Sequence, residues 1–353
     1  MANDQLPLIF DGHNDALLKL YKAGAMAATA GFVTGCEGAL DVPQAKAGGF
    51  GGGFFAVYVP SPSNKEARME EMVKPKYDLP LPEMVPIADA MPVVMAQAAI
   101  LFDLERKGAL KICRTVAELR KTLGSGVMAA IFHIEGAEAI DADLHGLDVL
   151  YQAGLRSIGP VWSRPTIFGH GVPFSFPSSP DTGPGLTEAG VRLVKRCNQL
   201  GIMLDLSHLN EAGFWDVVRH SDAPIVATHS NAHVICPHSR NLTDKQLAAI
   251  RESDGMVGLN FAVAFLRDDG RMLADVPLSQ MLRHLDHLIE HLGEDRVGLG
   301  SDYDGATVPE PLTSVAGLPS LRQAMADHGY GAALIKKICH ENWLRVLEKT
   351  WGG

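Results

Sequence analysis

Residues 6–15, LPLIFDGHND, run apolar from Leu6 to Phe10 and then place an imidazole at position 13 and a carboxylate at position 15. In a strand, alternate side chains share a face, so His13 and Asp15 point the same way where the run ends, as a two-residue metal grip would. The plainer alternative is a turn after an edge strand, with Asp and Asn capping a helix that begins at Ala16–Tyr21. These ten residues leave both open. What decides is whether the pattern recurs.

It does. Apolar, β-rich runs begin at Leu6–Phe10 and continue at Gly53–Val59, Met128–Ile134, Ser157–Trp162, Met203–Leu206, Ile225–Thr228, Met256–Phe261 and Val297–Gly300. Helical spacing fills the gaps at Pro86–Arg106, Asp143–Gln152, Thr187–Leu200, Glu211–Arg219, Thr243–Glu252 and Leu278–Leu292. Eight strands alternating with helices predict an α/β fold, a single (β/α)8 TIM-type barrel spanning residues 1–353, with a doubly wound open sheet as the alternative. Three stretches break the pattern: Ser61–Pro86, read as an insertion after strand 2; Pro165–Pro184, a long loop after strand 4 able to shape or cover a site; and extra helices from Pro319 onward.

Bulk properties narrow the function. At 353 residues, 46% hydrophobic and 20% charged, the chain can bury a large core. The net charge of −10 and the lack of basic clusters exclude nucleic acid as a natural partner. No apolar stretch is expected to approach bilayer-spanning length, Met91–Phe102 reads as a buried helix, and no cleaved signal or membrane anchor is expected. Five cysteines without a CxxC pair read as free thiols in a reducing cytoplasm.

Barrels of this kind carry their chemistry at the C-terminal ends of the strands. Strand 1 ends in His13 and Asp15, strand 3 in His133 and Glu135, strand 5 in His208, strand 6 in His229, and strand 8 in Asp302 and Asp304. Three imidazoles and two or three carboxylates can hold two divalent ions about 3.5–4 Å apart with a carboxylate between them. Nitrogen and oxygen ligands without thiolate suit Zn²⁺, and Asp302 is then free to move a proton. His133 and Asp304 read as packing or turn residues. His145, His220, His284, His287, His291 and His328 read as solvated or capping residues on helices.

The series DGHND, IEGAE, DLSH, THSNAHVICPHSRNLTD, GLGSDYDG and ENWLRVL runs in order from residue 11 to about 347 and resembles the membrane dipeptidase (renal dipeptidase) family of binuclear zinc peptidases in the amidohydrolase superfamily. The resemblance implies two Zn²⁺ per chain, His13 and Asp15 on one, His208 and His229 on the other, and Glu135 between them. It further implies that a hydroxide shared by the ions attacks the peptide carbonyl, that Asp302 shuttles the proton to the leaving amine, and that Arg240 receives the dipeptide's C-terminal carboxylate. Free dipeptides, including those with a C-terminal D-residue, are the implied substrates, and a homodimer is the candidate assembly. The secretion signal, disulfide frame and lipid anchor of the family's animal members are not expected in this chain, which points to a soluble bacterial-type relative. It also departs in reading PVWS where relatives carry a carbonyl-polarising histidine, so Trp162 stands in that position; His170, in FGHG, is the candidate to fold back in its place. Two alternatives stand beside the dipeptidase: a hydrolase of another small amide or lactam, such as an N-acyl amino acid or β-lactam, and a non-catalytic scaffold, disfavoured because every ligand position is filled.

Overall fold

A computed structural model describes residues 6–61 and 70–352. Eight strands, β1 (Ile9–Asn14), β2 (Phe50–Tyr58), β3 (Met128–Glu135), β4 (Leu155–Gly159), β5 (Met203–Leu204), β6 (Val226–Ala227), β7 (Met256–Asn260) and β8 (Val297–Gly300), form one sheet in which each neighbours the next in sequence and β1 lies against β8. All these pairings are parallel. Sequential order that returns to its start is a barrel; a doubly wound sheet reverses direction at a switch point instead. Between β5 and β6 the closure is thin: one parallel bridge, Asp205 to Val226, with Leu206 N–H donating to the Val226 carbonyl at 2.9 Å.

The boundaries moved for physical reasons. β1 starts at Ile9 because Leu6 and Leu8 are exposed, and it carries His13 within its last turn of pleat. β2 begins at Phe50, three residues before the expected Gly53, because the backbones there touch. A Cβ on Gly52 would run into the Ala129 backbone of β3, so only glycine lets the strands pair.

The helices match their sequence periods closely. Thr187 and Thr243 cap the helices Glu188–Leu200 and Asp244–Glu252, the second with Gln246 in a capping box. Inside the barrel, Phe10, Phe54, Ile131, Met203, Val226 and Met256 pack against Trp343 from the C-terminal helix Asn342–Trp351, whose indole N–H donates to the Leu299 carbonyl at 3.1 Å. Those C-terminal helices therefore plug the end of the barrel opposite the ligand-bearing strand ends. Helix Ile87–Arg106 corrects one expectation, since by length and composition it could cross a membrane. Its Val94, Ala98, Leu101 and Leu104 are nevertheless buried within the main core.

The two irregular stretches meet. Tyr77–Leu79, from the insertion after β2, pairs antiparallel with Phe174–Phe176 from the loop after β4. The insertion is tied to the segment after β7 by Tyr77 Oη donating to the Gly270 carbonyl at 2.6 Å, and by Met272 N–H donating to the Met72 carbonyl at 2.9 Å. Part of the insertion, residues 62–69, lies outside the described residues. A further short strand, Leu110–Ile112, extends the sheet beside β3 and was not legible in the sequence.

Candidate metal centre and active site

At the C-terminal rim, His13, Glu135, His208 and His229 converge from β1, β3 and the segments following β5 and β6. One oxygen of Glu135, Oε1, lies 2.9 Å from His208 Nε2, 3.6 Å from His229 Nε2 and 3.7 Å from His13 Nε2. His13 Nε2 is 3.6 Å from Asp15 Oδ2. Asp15 occupies the N-cap position of helix Ala16–Lys22, but its carboxylate makes no capping hydrogen bond, and Asn14 Oδ1 accepts from the Ala16 amide at 3.4 Å instead. Ligands about 2.0–2.2 Å from a tetrahedral cation stand roughly 3.3–3.6 Å from one another, close to the spacing seen here. Three groups here are close enough to hold a cation: His13, Asp15 and Asp302; Glu135, His208 and His229; and His13, Asp205 and His229.

The electrostatics call for positive charge. Burial alone would depress His13, but Glu135, Asp15 and Asp302 outweigh it and hold the imidazole up at about 10. Burial, with Asp15 and Asp302 adding to it, pushes Glu135 up to about 8. Both ring nitrogens of His13 are buried without a hydrogen-bond partner. A buried imidazole surrounded by carboxylates and bonded to none of them is the environment of a ligand whose cation is the missing partner. His229 is held well below its usual value, first by burial and then by His13 and Arg240, which keeps it in the neutral form that coordinates.

Each imidazole is aimed by a second group. His208 Nδ1 meets Ser163 Oγ at 2.9 Å, and His229 Nδ1 meets Thr228 Oγ1 at 2.8 Å. Thr228 is held in turn by Asp205, whose Oδ2 accepts from Oγ1 at 2.5 Å while Oδ1 accepts from the Thr228 and Ser207 amides. Burial works against charge on Asp205, but His133 and the Ser207 and Thr228 hydroxyls prevail and hold its carboxyl below the usual range. Partners of this kind fix tautomer and ring angle. His133 sits deeper, its Nδ1 on Ser157 Oγ at 2.9 Å. Asp304 turns away, accepting from the Ala39 amide at 2.8 Å, and so remains a turn residue.

Asp302 adopts a left-handed backbone at φ 61°, a strained choice for a non-glycine residue at the mouth of the site. Its amide donates to the His13 carbonyl at 3.0 Å, and its Oδ2 accepts from Asn260 Nδ2 at 3.1 Å. Burial raises its pKa, with Asp15 acting in the same direction and His13 opposing. Gly305 presses on the same carboxylates: a Cβ there would run into Asp15 Oδ2 and lie 2.7 Å from Asp302 Oδ1. Gly305→Ala is therefore expected to displace Asp15 and weaken metal binding by about 10–100-fold, the range found when a ligand is misoriented. Titration with a chromogenic chelator checks this; unchanged affinity would show that the Asp302–Gly305 turn yields instead.

Above the rim lies a cavity, open to solvent, with Asp15, Glu135, His208 and Asp302 in its floor. Its walls are aromatic and aliphatic: Tyr58, Trp162, Phe174, Phe265, Met72 and Met272. Trp162 thus takes a place in the site, its ring 5.1 Å from Tyr58 and 5.8 Å from His208. His170 is not among the wall residues; its Nδ1 faces the Gly185 carbonyl at 3.3 Å, so it does not fold back to replace the missing histidine. Behind Tyr58 and Trp162 runs a fully buried ion pair, Arg164 Nε to Glu138 Oε1 at 2.7 Å, with Arg164 also donating to Ser61 Oγ and the Val59 carbonyl. Removing either partner alone would leave a buried charge, at a cost of roughly 3–5 kcal/mol.

Arg240 is buried behind His208 and Phe265, with Nη2 3.4 Å from His208 Nε2 and its guanidinium 5.3 Å from the Phe265 ring. It donates to the Ser207 and His229 carbonyls, while its Nε has no partner. Burial pulls it down to about 10, which leaves it charged at neutral pH. Sequence reading passed over Asp205, Asn260 and Tyr58. Asp205 stood in the quoted DLSH and Asn260 ends the apolar run of β7, so the rule that strand-end polar residues face the site reaches both.

Several known proteins are similar to this chain. The crystal structure of a metallo peptidase from Rhodobacter sphaeroides, liganded with a phosphinate mimic of the dipeptide L-Ala-D-Ala, superposes with a TM-score of 0.96 at 57% identity, over 98% of this chain and all of that one. An uncharacterized protein in the pqqA 5′ region of Klebsiella pneumoniae is 49% identical over 265 residues, 74% of this chain and 98% of the relative. An amidohydrolase from Pseudomonas aeruginosa, at 19% identity and a TM-score of 0.74 over 98% of this chain and 97% of its own, shares the fold. The model of the membrane dipeptidase family, peptidase family M19, matches residues 4–351, and with the converging ligands at the barrel mouth this places the chain in that family as a metallo-dipeptidase.

Proposed function

We propose that the protein is a zinc-dependent dipeptidase holding two ions, one by His13, Asp15 and Glu135, the other by Glu135, His208 and His229. The observation that carries the proposal is the position of Glu135 Oε1 within 3.7 Å of three imidazole Nε2 atoms, a position suited to a shared ligand. Two bound divalent ions supply an activated water and polarise a carbonyl. The chain's own residues do the rest. Asp302, adjoining both the ligands and the cavity, takes a proton and returns it to the leaving amine. Tyr58, Trp162, Phe174 and Phe265 enclose the small substrate and exclude water. The five cysteines, all free, support a cytoplasmic location.

Cleavage of dipeptides with a C-terminal D-residue is supported by the ligand of the Rhodobacter sphaeroides relative, a mimic of L-Ala-D-Ala. The test is a panel of L,L and L,D dipeptides with their C-terminal amides, assayed on metal-replete protein. Free dipeptides should be hydrolysed and amides spared. Efficient turnover of the amides would instead favour a broader amide or lactam hydrolase.

Arg240 is proposed to meet the substrate carboxylate from behind Phe265 and His208, a reading supported by its Nη2 lying 3.4 Å from Nε2 of His208, which lines the cavity. A charge-assisted bidentate contact is worth roughly 1.5–3 kcal/mol, so Arg240→Ala should lower kcat/KM for a free dipeptide at least about tenfold. The residual rate on the amide should hardly change. Equal losses on both substrates would mean that Arg240 only braces the Ser207 and His229 carbonyls.

A further inference from the structure

We propose a second, separate metal site on the outer helix layer, formed by Asp244, His287 and His291 and selective for a borderline transition metal such as Zn²⁺. His287 and His291 lie four residues apart in HLIEH on helix Leu278–Leu292, the spacing that puts two imidazoles on one face of a helix within reach of one cation. Their ring centroids are 4.2 Å apart. Asp244, the first residue of the neighbouring helix Asp244–Glu252, brings its Oδ1 to 2.8 Å from His287 Nε2. One ligand atom from each of the three lies within 4.8 Å of the others.

Other uses of these side chains are limited. His284, on the same helix, is buried and fully engaged, facing the Ala232 amide at 3.2 Å and the Leu266 carbonyl at 3.0 Å, which corrects its reading as a solvated residue. His291 has no side-chain hydrogen bond among the described residues; its ring contact is with His287. The comparable surface group Asp141, Asp143 and His145 is already spent, because Asp141 accepts from the amides of Asp143, His145 and Gly146 at the start of a helix. At the His287 group a cation would replace the hydrogen bond between Nε2 and Oδ1, the neutral ring keeping its proton on Nδ1, with one or more waters completing the shell. Two nitrogens and one oxygen favour Cu²⁺, Zn²⁺ or Ni²⁺ over Mg²⁺ or Ca²⁺. The two helices joined are those on either side of β7 in the chain, so the ion would act as a cross-link between neighbouring helices, away from the reacting atoms.

The test compares the full-length protein with the double variant His287→Ala/His291→Ala, both equilibrated with zinc alone and analysed for bound metal by plasma emission spectrometry. The wild type should bind one equivalent more than the variant, while kcat/KM on a dipeptide stays the same. The difference between the two proteins is the readout, so the result does not depend on how many ions the barrel mouth holds. Cobalt substitution supplies a second measurement, since the wild type should show visible d–d absorption for an added tetrahedral site that the variant lacks. Zinc beyond saturation of the barrel mouth should also raise the Tm of the wild type and leave that of the variant unmoved. Equal metal content and equal cobalt spectra in two folded proteins would overturn the proposal and leave Asp244 and His287 as an ordinary helix-to-helix hydrogen bond.

Discussion

Exchanging Glu135 for glutamine is expected to empty the centre and abolish peptidase activity. The substitution keeps the shape but removes the one carboxylate that faces three imidazoles, 2.9–3.7 Å from their Nε2 atoms. An amide offers a single weak oxygen and two N–H donors that point at nitrogens meant for a cation. Neither ion then has its full ligand set. Losing several kcal/mol of charge stabilisation corresponds to about 10³-fold in kcat, at about 1.4 kcal/mol per tenfold. Metal analysis should show both ions lost, with a circular dichroism spectrum showing that the barrel persists. A variant that keeps two ions would show that the imidazoles and Asp15 hold them without Glu135, and the shared-ligand assignment would fall.

The second large effect is expected at Asp302. Asp302→Asn keeps the left-handed turn, which asparagine tolerates well, and removes only the ability to carry a proton. The kcat should drop by about 10²-fold or more while metal content stays near that of the parent. The structure also places Asp302 in reach of the cation expected beside His13 and Asp15, which gives the experiment a sharp alternative. If one ion is lost with the activity, Asp302 is a ligand and the proton must travel by another group. If kcat is retained, neither role belongs to it.

The sequence was most informative where chemistry and period coincide. Strand-end histidines and carboxylates are visible because a polar residue closing an apolar run is costly to bury without a purpose, and His13, Asp15, Glu135, His208 and His229 come together at the barrel mouth. Less was visible where geometry depends on distant chain. The pairing of Tyr77–Leu79 with Phe174–Phe176 joins segments about a hundred residues apart, and neither is a strand by its own composition. Asn260 was passed over because the expected run, Met256–Phe261, placed it inside the strand, whereas the strand ends at Asn260 and its amide donates to Asp302. The start of β2 at Phe50 was missed for a related reason: the value of its glycines lies in what the neighbouring strand needs, which the local sequence does not show.

The thin closure between β5 and β6 has a further consequence. These strands are two residues each, joined by one bridge at Asp205, and His208 and His229 stand just beyond them on either side. Any ion held by both imidazoles would therefore be a clasp across a join otherwise made by that bridge and by the Asp205 and Ser207 side-chain hydrogen bonds to Thr228 and His229. Without it, opening at this join would expose two unpaired strand edges, the surfaces through which sheet proteins adhere to one another. Shelf life in chelating buffers, measured as the onset of turbidity, is thus tied to the same residues that perform the hydrolysis.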